Sequence, residues 1–462
     1  MRFSSLHDWL RWQEQLHSQS IDLGLERVAE VWQRLSLSLA KSKVITVAGT
    51  NGKGSCVAML DAIYSAAGYS VGTYTSPHLL RYNERIRING VECDDGVLCR
   101  AFETIDQARD DISLSYFEFG TLAALVILAQ AQPDVVVLEV GLGGRLDAVN
   151  IIDADVALIS SIAVDHQAWL GSDRDSIAYE KTGIFRPGQY AICGDPNPPD
   201  SVFSQAKSVA VNLLCLGQAF DQDKSVAQQG SVTWQWRGRS ITDRTVYLTG
   251  LPLPQLSGAV QINNAACVIQ ILQLLMVELP VAVEAIRSGL QRVDLHGRFQ
   301  QLFCRPDANQ SSMQRPYQCC RVAGSGAVPV ILDVAHNPAA AQVLADTLVY
   351  DAGLDNNCAG TTIAILGMMA DKDVVGFIQP LVSIIDRWYV VELPLSRSCT
   401  TAVLKAAFSR LSMATPPVVI GCADIATAAQ QALEAAECQT AGRVLVTGSF
   451  YTVAGFLELT TT

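Results

Sequence analysis

The run Val44-Ile45-Thr46-Val47-Ala48 is apolar and β-branched, and it breaks into Gly49-Thr50-Asn51-Gly52-Lys53-Gly54-Ser55. A buried strand ending in a glycine-rich turn lets backbone N–H groups face an anion. The helix that follows adds its positive end, and Lys53 adds a point charge. Gly52, Lys53, Gly54 and Ser55 are therefore candidates for cradling a polyphosphate. The spacing departs from the usual Walker form, because Val47 stands where the first glycine belongs and Gly54 separates Lys53 from the Ser55 hydroxyl.

Other polar groups follow apolar runs in the same way. The strand over 135–138 delivers Glu139, followed by Gly141-Leu142-Gly143-Gly144-Arg145-Leu146-Asp147. Ligands of open α/β sheets bind beyond the carboxyl ends of strands, so a carboxylate there is placed to hold a hard cation. The strand over 156–162 leads to Val164-Asp165-His166, and Thr75-Ser76-Pro77-His78 follows the run 70–74; the hydroxyl of that loop could join Glu139 and His166 around Mg²⁺. In the second half, Leu332-Asp333-Val334-Ala335-His336-Asn337-Pro338 joins a strand end to a helix start. Asn337 suits an N-cap and Pro338 a first helical position, which leaves Asp333 and His336 for chemistry.

These loops need strands to aim them. From 43 to about 300, apolar runs at 44–47, 70–74, 135–140, 156–162 and 190–193 alternate with helical patterns, as βαβ units of a mainly parallel sheet do. The segment 231–248 alternates polar and apolar residues, as an antiparallel edge ribbon would. A second series (329–334, 361–366, 388–392, 417–420, 443–447) is separated by alanine-rich helical stretches such as 339–350 and 425–436. The expectation is a two-domain α/β protein, residues 1–296 and 297–462, with a hinge near 293–298. A polar insertion at about 304–328 reads as a surface loop.

Composition narrows the classes. The 462 residues include 33 Lys+Arg and 45 Asp+Glu, for a net charge of −12 and a pI near 5.0. Without a basic run, nucleic acid is not an expected partner. With 49% apolar and 17% charged residues the chain is globular. The mean hydropathy of +0.23 raises the question of a membrane span. The run 122–129 is stopped by Gln130, Pro133 and Asp134, and 265–283 carries Gln270, Gln273, Glu278 and Pro280, so both are expected to be core. Residues 1–19 lack the apolar centre of a signal peptide, and a cytoplasmic location is expected. Thirteen cysteines without CxxC spacing suggest neither a disulfide framework nor a zinc site, and adjacent Cys319-Cys320 is too cramped for an ordinary bridge.

Taken in chain order, the glycine loop, Thr75-Ser76-Pro77-His78, residues 139–150, Asp165-His166, Gly297-Arg298-Phe299-Gln300, residues 333–338 and Gly448-Ser449-Phe450-Tyr451-Thr452-Val453 resemble the folylpolyglutamate synthases of the Mur-ligase superfamily. The likeness runs over nearly the whole chain and is greatest to the bifunctional bacterial members. It implies an N-terminal P-loop ATPase domain with a mainly parallel sheet and a smaller Rossmann-like C-terminal domain. It also implies a monomeric enzyme that uses ATP and one or two Mg²⁺ ions to join L-glutamate to dihydropteroate and to reduced folates.

By that resemblance Gly52, Lys53, Gly54 and Ser55 hold the ATP phosphates, with further nucleotide contacts at Asn264, Arg298 and Asp333; neighbouring Asn263 leaves the asparagine open by one position. Ser76, Glu139 and His166 would ligate magnesium. Lys181 matches a lysine that the family carries as a carbamate, an anion that could complete the shell of a second Mg²⁺. Pterin contacts fall on Asp22 and Leu23, on Ser115, Tyr116, Phe117 and Glu118, and on Leu146, Asp147 and Ala148. His336, from its place at a helix start, is the candidate for orienting glutamate or the incoming amine. Two features depart from the family, the long 304–328 insertion and Val260 in place of a histidine found in some members.

The implied chemistry is carboxylate activation. Phosphoryl transfer makes an acyl phosphate, and the glutamate amine displaces phosphate through a tetrahedral intermediate. Two other readings compete. A peptidoglycan-type Mur ligase should carry a UDP-binding domain, for which roughly 40 residues before the loop leave no room. A nucleotide-dependent switch would turn over ATP without ligation.

Overall fold

The computed structural model describes residues 2–19, 21–226, 232–306, 316–322, 324, 326–354, 360–413, 416–439 and 442–461. The apolar run before the glycine loop forms β1 (Lys43–Ala48), buried after its first residue. A strand that is apolar on both faces belongs in the middle of a covered parallel sheet. The other members are β2 (Val71–Tyr74), β3 (Ile86–Ile88), β4 (Val91–Glu92), β5 (Val135–Glu139), β6 (Val156–Ile159), β7 (Tyr190–Cys193) and β8 (Asn212–Cys215). Their order is β4-β3-β2-β5-β1-β6-β7-β8, with the β2–β3 and β3–β4 pairings antiparallel and the other pairings parallel. β1 thus lies between β5 and β6, and the carboxyl ends of all three open on one rim.

Helix Tyr116–Ala131 is buried from Glu118 to Ala129, which accounts for the apolar run over 122–129 as core. It is started by a capping box: the Ser115 hydroxyl accepts from Glu118 N–H at 3.3 Å, and the Glu118 carboxylate accepts from Ser115 N–H at 2.7 Å. The N-terminal stretch forms helices Leu6–Leu16 and Glu26–Leu35. Trp9 is fully buried among Phe102 and Phe119, 5.9 and 6.5 Å between ring centroids. No helix among the described residues is long and apolar enough to cross a membrane.

Three expectations are corrected. The alternating segment is not an edge of the main sheet: β9 (Asp221–Val226), β10 (Val232–Arg239) and β11 (Thr245–Pro252) form a separate three-stranded antiparallel sheet. Trp234 and Trp236 lie on the buried face of β10, where Trp236 Nε1 donates to Ala266 O of helix Val260–Leu274 at 3.1 Å. The strand expected over 156–162 ends at Ile159, and the chain continues as loop.

The third correction concerns the insertion. The C-terminal sheet contains β12 (Gln300–Pro306), β13 (Tyr317–Cys320), β14 (Val328–Leu332), β15 (Thr362–Leu366), β16 (Arg387–Val391), β17 (Val418–Cys422), β18 (Arg443–Thr447) and β19 (Thr460–Thr461) in the order β17-β16-β15-β18-β14-β12-β13-β19. Both ends of the polar segment and its stretch Tyr317–Cys320 are therefore strand, while residues 307–315, 323 and 325 lie outside the described residues. Tyr317 and Cys319 alternate inward with polar partners outward, a period-2 pattern too short to stand out in the sequence. Cys304 and Cys319, directly paired across β12 and β13, form a disulfide that the cysteine spacing did not suggest.

The chain divides into two compact units, Met1–Gln255 with Gln261–Asp294, and Leu256–Val260 with Leu295–Thr462.

Candidate functional site

The glycine loop is braced before any ligand arrives. Thr50 N–H donates to Ser161 O at 2.8 Å and Asn51 N–H to the Ser161 hydroxyl at 3.0 Å. The hydroxyls of Ser160 and Ser161 both donate to Asn51 O, at 2.7 and 2.9 Å. Gly52 has φ +87°, a backbone for glycine, and a Cβ there would meet Asn264 Oδ1 at 2.9 Å. Helix Lys53–Ala66 starts immediately, with Ser55 buried in its first turn. The Lys53 ammonium donates to Gly49 O and Thr50 O at 3.0 and 3.3 Å, curling over the loop. Of the two asparagines left open, Asn264 is buried against Gly52 and donates to Gln261, whereas Asn263 accepts from Gln222.

Lys181 is 3% exposed near the end of helix Arg174–Thr182. Burial first, and the Lys53 charge second, push its amine down to about 7, against the pull of Asp165 and Asp147. The helix is held in register by the loop after β5. Gly144 packs where a Cβ would lie 2.9 Å from both Glu180 O and Lys181 O, Arg145 N–H donates to Glu180 O at 2.7 Å, and the Arg145 guanidinium pairs with the Glu180 carboxylate at 2.9 Å. Asp147 closes the same loop: its carboxylate accepts from Leu142 N–H and Val149 N–H at 2.8 and 3.0 Å. Burial nevertheless raises it to about 6, with these bonds and Lys53 opposing.

Glu139, 5% exposed, ends β5 beside Val47 of β1. Ser76 lies just beyond β2, the next strand over. Asp165 is buried and accepts from His166 N–H at 2.8 Å, and His166 starts a short helical turn with φ +51°. Glu139, Ser76 and His166 thus follow strands or loops of one rim, yet among the described residues no three His, Cys, Asp or Glu side chains converge as a metal cluster.

Of the expected pterin contacts, Ser115 and Glu118 are engaged in the capping box, and Glu118 also receives Arg27 at 3.0 Å. Asp22 is held by Arg27 at 2.7 Å and His17 at 3.0 Å. Arg27 therefore ties Asp22 to Glu118, a link that sequence reasoning missed. Phe117 lies over Gly141, whose Cβ would stand 2.5 Å from the ring, and Tyr116 meets Tyr82 edge-on at 5.9 Å. Leu23 and Leu146 are half-buried and Ala148 buried. Phe117, Asp147 and the Gly141 loop are brought together; Ser115 faces its own helix.

In the C-terminal unit, the Asp333 carboxylate accepts from Phe299 N–H at 2.9 Å and Ala335 N–H at 2.8 Å. Burial raises it, with Arg298 foremost among the opposing influences. The Arg298 guanidinium stands 5.1 Å from the Phe450 ring centroid, and the His336 ring 6.2 Å from it. His336 Nδ1 lies 2.8 Å from Val334 O, so it carries the proton there. Asn337 caps the next helix through Ala340 N–H, as its position suggested.

Two family models match the chain: the Mur ligase middle domain over residues 47–272 and the Mur ligase glutamate ligase domain over residues 319–450. The dihydrofolate synthase/folylpolyglutamate synthase of Escherichia coli (strain K12) is 41% identical over 459 residues, covering 99% of this chain and 96% of that protein. Its Haemophilus influenzae counterpart is 38% identical, covering 98% and 97%. A solved structure of E. coli FolC in complex with DHPP and ADP superposes with a TM-score of 0.84 at 40% identity, covering 99% of this chain and 97% of that one. A bifunctional folylpolyglutamate synthase/dihydrofolate synthase with Mn, AMPPNP and L-glutamate bound gives 0.81 at 41% identity, covering 98% and 97%. Fold and glycine loop together define an ATP-dependent ligase of the Mur type. Within that class, the chain belongs to the dihydrofolate synthase/folylpolyglutamate synthase family.

Proposed function

We propose that this chain joins L-glutamate to dihydropteroate, giving dihydrofolate, and to reduced folates, giving polyglutamates, with ATP as the energy source. The observation that carries the assignment of parts is the single rim where the braced Gly52–Lys53 loop, the end of β5 at Glu139 and the chain beyond β6 come together. A carboxylate oxygen of the acid attacks the γ-phosphorus of ATP, the bond to the β-phosphate oxygen breaks, and ADP leaves. The glutamate amine then attacks the acyl carbon, the tetrahedral intermediate expels phosphate, and the nitrogen loses a proton.

Gly52, Gly54 and Ser55 offer backbone N–H groups to the phosphates, and Lys53 neutralises charge on the transferred phosphoryl. Asn264 holds the loop from behind and is the asparagine we assign to the nucleotide. The buried carboxylate of Glu139 and the Ser76 hydroxyl are hard oxygen donors that suit Mg²⁺, with His166 as a third ligand. Mg²⁺, when bound, supplies further neutralisation of the phosphates. Lys181, neutral in part near pH 7, is suited to add to CO₂: its nitrogen bonds to the carbon, a proton leaves, and a carbamate results. Phe117 and Tyr116 flank the acid, with Asp22, Leu23, Leu146, Asp147 and Ala148 around it, while Ser115 and Glu118 shape the helix start that presents the rings. Arg298 and Asp333 are assigned to the nucleotide and His336 to glutamate.

Glutamate-dependent ADP formation, measured with dihydropteroate and with tetrahydrofolate, tests the reading. Saturable turnover with both acids is expected. ADP release that ignores glutamate would overturn ligation, and turnover with tetrahydrofolate alone would reduce the chain to a folylpolyglutamate synthase.

A further inference from the structure

Three arginines are buried among the described residues, Arg85, Arg109 and Arg443, each 8% exposed. Arg109 is paired with Asp106 at 2.6 Å, and Arg443 with Asp351 at 3.1 Å. Among the described residues Arg85 has no such carboxylate. Its Nε donates to His78 Nδ1 at 2.8 Å, the Tyr74 hydroxyl also approaches it, and its guanidinium carbon lies 5.1 and 5.8 Å from the ring centroids of Tyr82 and Tyr116. The neighbouring acid, Glu84, is spent: it accepts from the backbone N–H groups of Leu79, Leu80 and Arg81, each at 2.7 Å.

A buried cation is normally paired, because removing it from water costs more than aromatic faces return. A guanidinium left with imidazole and phenol partners is therefore matched to an anion that arrives from outside. The surroundings say which. Tyr116 is one of its two ring neighbours, and Tyr74 stands 6.3 Å from Phe117, which lies over the Gly141 loop. Arg85 thus adjoins the rings assigned to the acid substrate, and a role for it in binding that acid rests on the same assignment.

We propose that Arg85 binds a carboxylate of the acid substrate, making this buried guanidinium a selector for pteroate-type acids over uncharged pterins. A planar fork of donors suits a carboxylate, and a dry, aromatic wall strengthens the charge-assisted bonds. His78 fixes the plane of the fork by accepting from Nε, so the ligand meets the terminal nitrogens beside the Tyr74 hydroxyl.

The test compares dihydropteroate with the same pterin carrying hydrogen in place of the carboxylate, by equilibrium binding to the full-length protein and its Arg85→Lys, Arg85→Gln and Arg85→Met variants. The expected result is that Met and Gln lose about 10- to 100-fold in affinity for dihydropteroate and nothing for the carboxylate-free analogue, with Lys between. ADP affinity should stay constant, and circular dichroism checks folding; Gln keeps a donor for His78 should Met not fold. Equal losses for both ligands would make Arg85 a packing residue and overturn the proposal, as would no loss for either. If the unaltered protein binds neither pterin, the assignment of the acid site itself falls, an outcome distinct from the other two.

Discussion

Lys53 and Lys181 press on each other: after burial, the charge of Lys53 is the largest influence lowering the Lys181 amine to about 7. Lys53 is half-buried at the phosphate loop, whereas Lys181 is buried enough to yield its proton. Like charges held together in this way resolve by one member turning neutral.

Lys53→Met should therefore do two things. Ligation should fall on the order of a hundredfold or more, since a charge contact to the transferred phosphoryl is lost. The Lys181 pKa should rise, which a pH titration of its reaction with an amine-selective label would reveal. A folded variant with near-normal kcat would remove Lys53 from the phosphate site.

Lys181 itself sets a pH signature. Its folded pKa, about 7, lies below the ordinary lysine value of 10.5, so between those values the unfolded chain binds more protons than the native one. Stability should rise with pH across that window and lose this contribution as pH falls to 7. Urea unfolding in CO₂-free buffer should show that slope in the parent and not in Lys181→Met. In ¹³C-bicarbonate, a carbamate signal should grow in with a midpoint near pH 7, the folded pKa of the amine; its absence in alkaline buffer would refute the carbamate.

Glu139→Gln and His166→Ala should each shift the Mg²⁺ dependence of turnover to higher concentration by about tenfold or more. Activity assays at stepped Mg²⁺ check this, and an unmoved midpoint in both would place the metal elsewhere.

The polar stretch between the paired cysteines separates two stability outcomes. Replacing residues 307–315 by a short Gly/Asn turn should leave Tm nearly unchanged. Extending the deletion to 325 removes β13, with buried Tyr317 and Cys319, and should lower Tm by on the order of 5 °C or more. Thermal melts of both variants decide it.

The alternating α/β plan and the glycine loop were legible because they are local. An apolar run, a glycine turn and a helix start lie within a dozen residues, and periodicity reports each directly. Asn337 was readable as a cap for the same reason. Arg27 was not, because its partner Glu118 is 91 residues away and the contact exists only once the N-terminal helices dock. Arg85 went unread, because its burial depends on Tyr74 and Tyr116 arriving from other segments to join Tyr82 of its own turn. The disulfide was hidden similarly, since a cross-strand register and not cysteine spacing joins Cys304 to Cys319. Ser115 and Glu118 entered only as substrate positions given by resemblance, and their use as a capping box emerges with the helix.

The short passage Leu256–Val260 belongs to the second compact unit although the chain on both sides of it belongs to the first. The boundary is therefore crossed three times, at 255/256, 260/261 and 294/295. Splitting the gene once, between Asp294 and Leu295, would strand Gly258, whose backbone lies against Thr347, on the wrong fragment. The two units interleave along the chain and are not separable cassettes, so a chimera that exchanges the ligase half with a relative must carry Leu256–Val260 along with it.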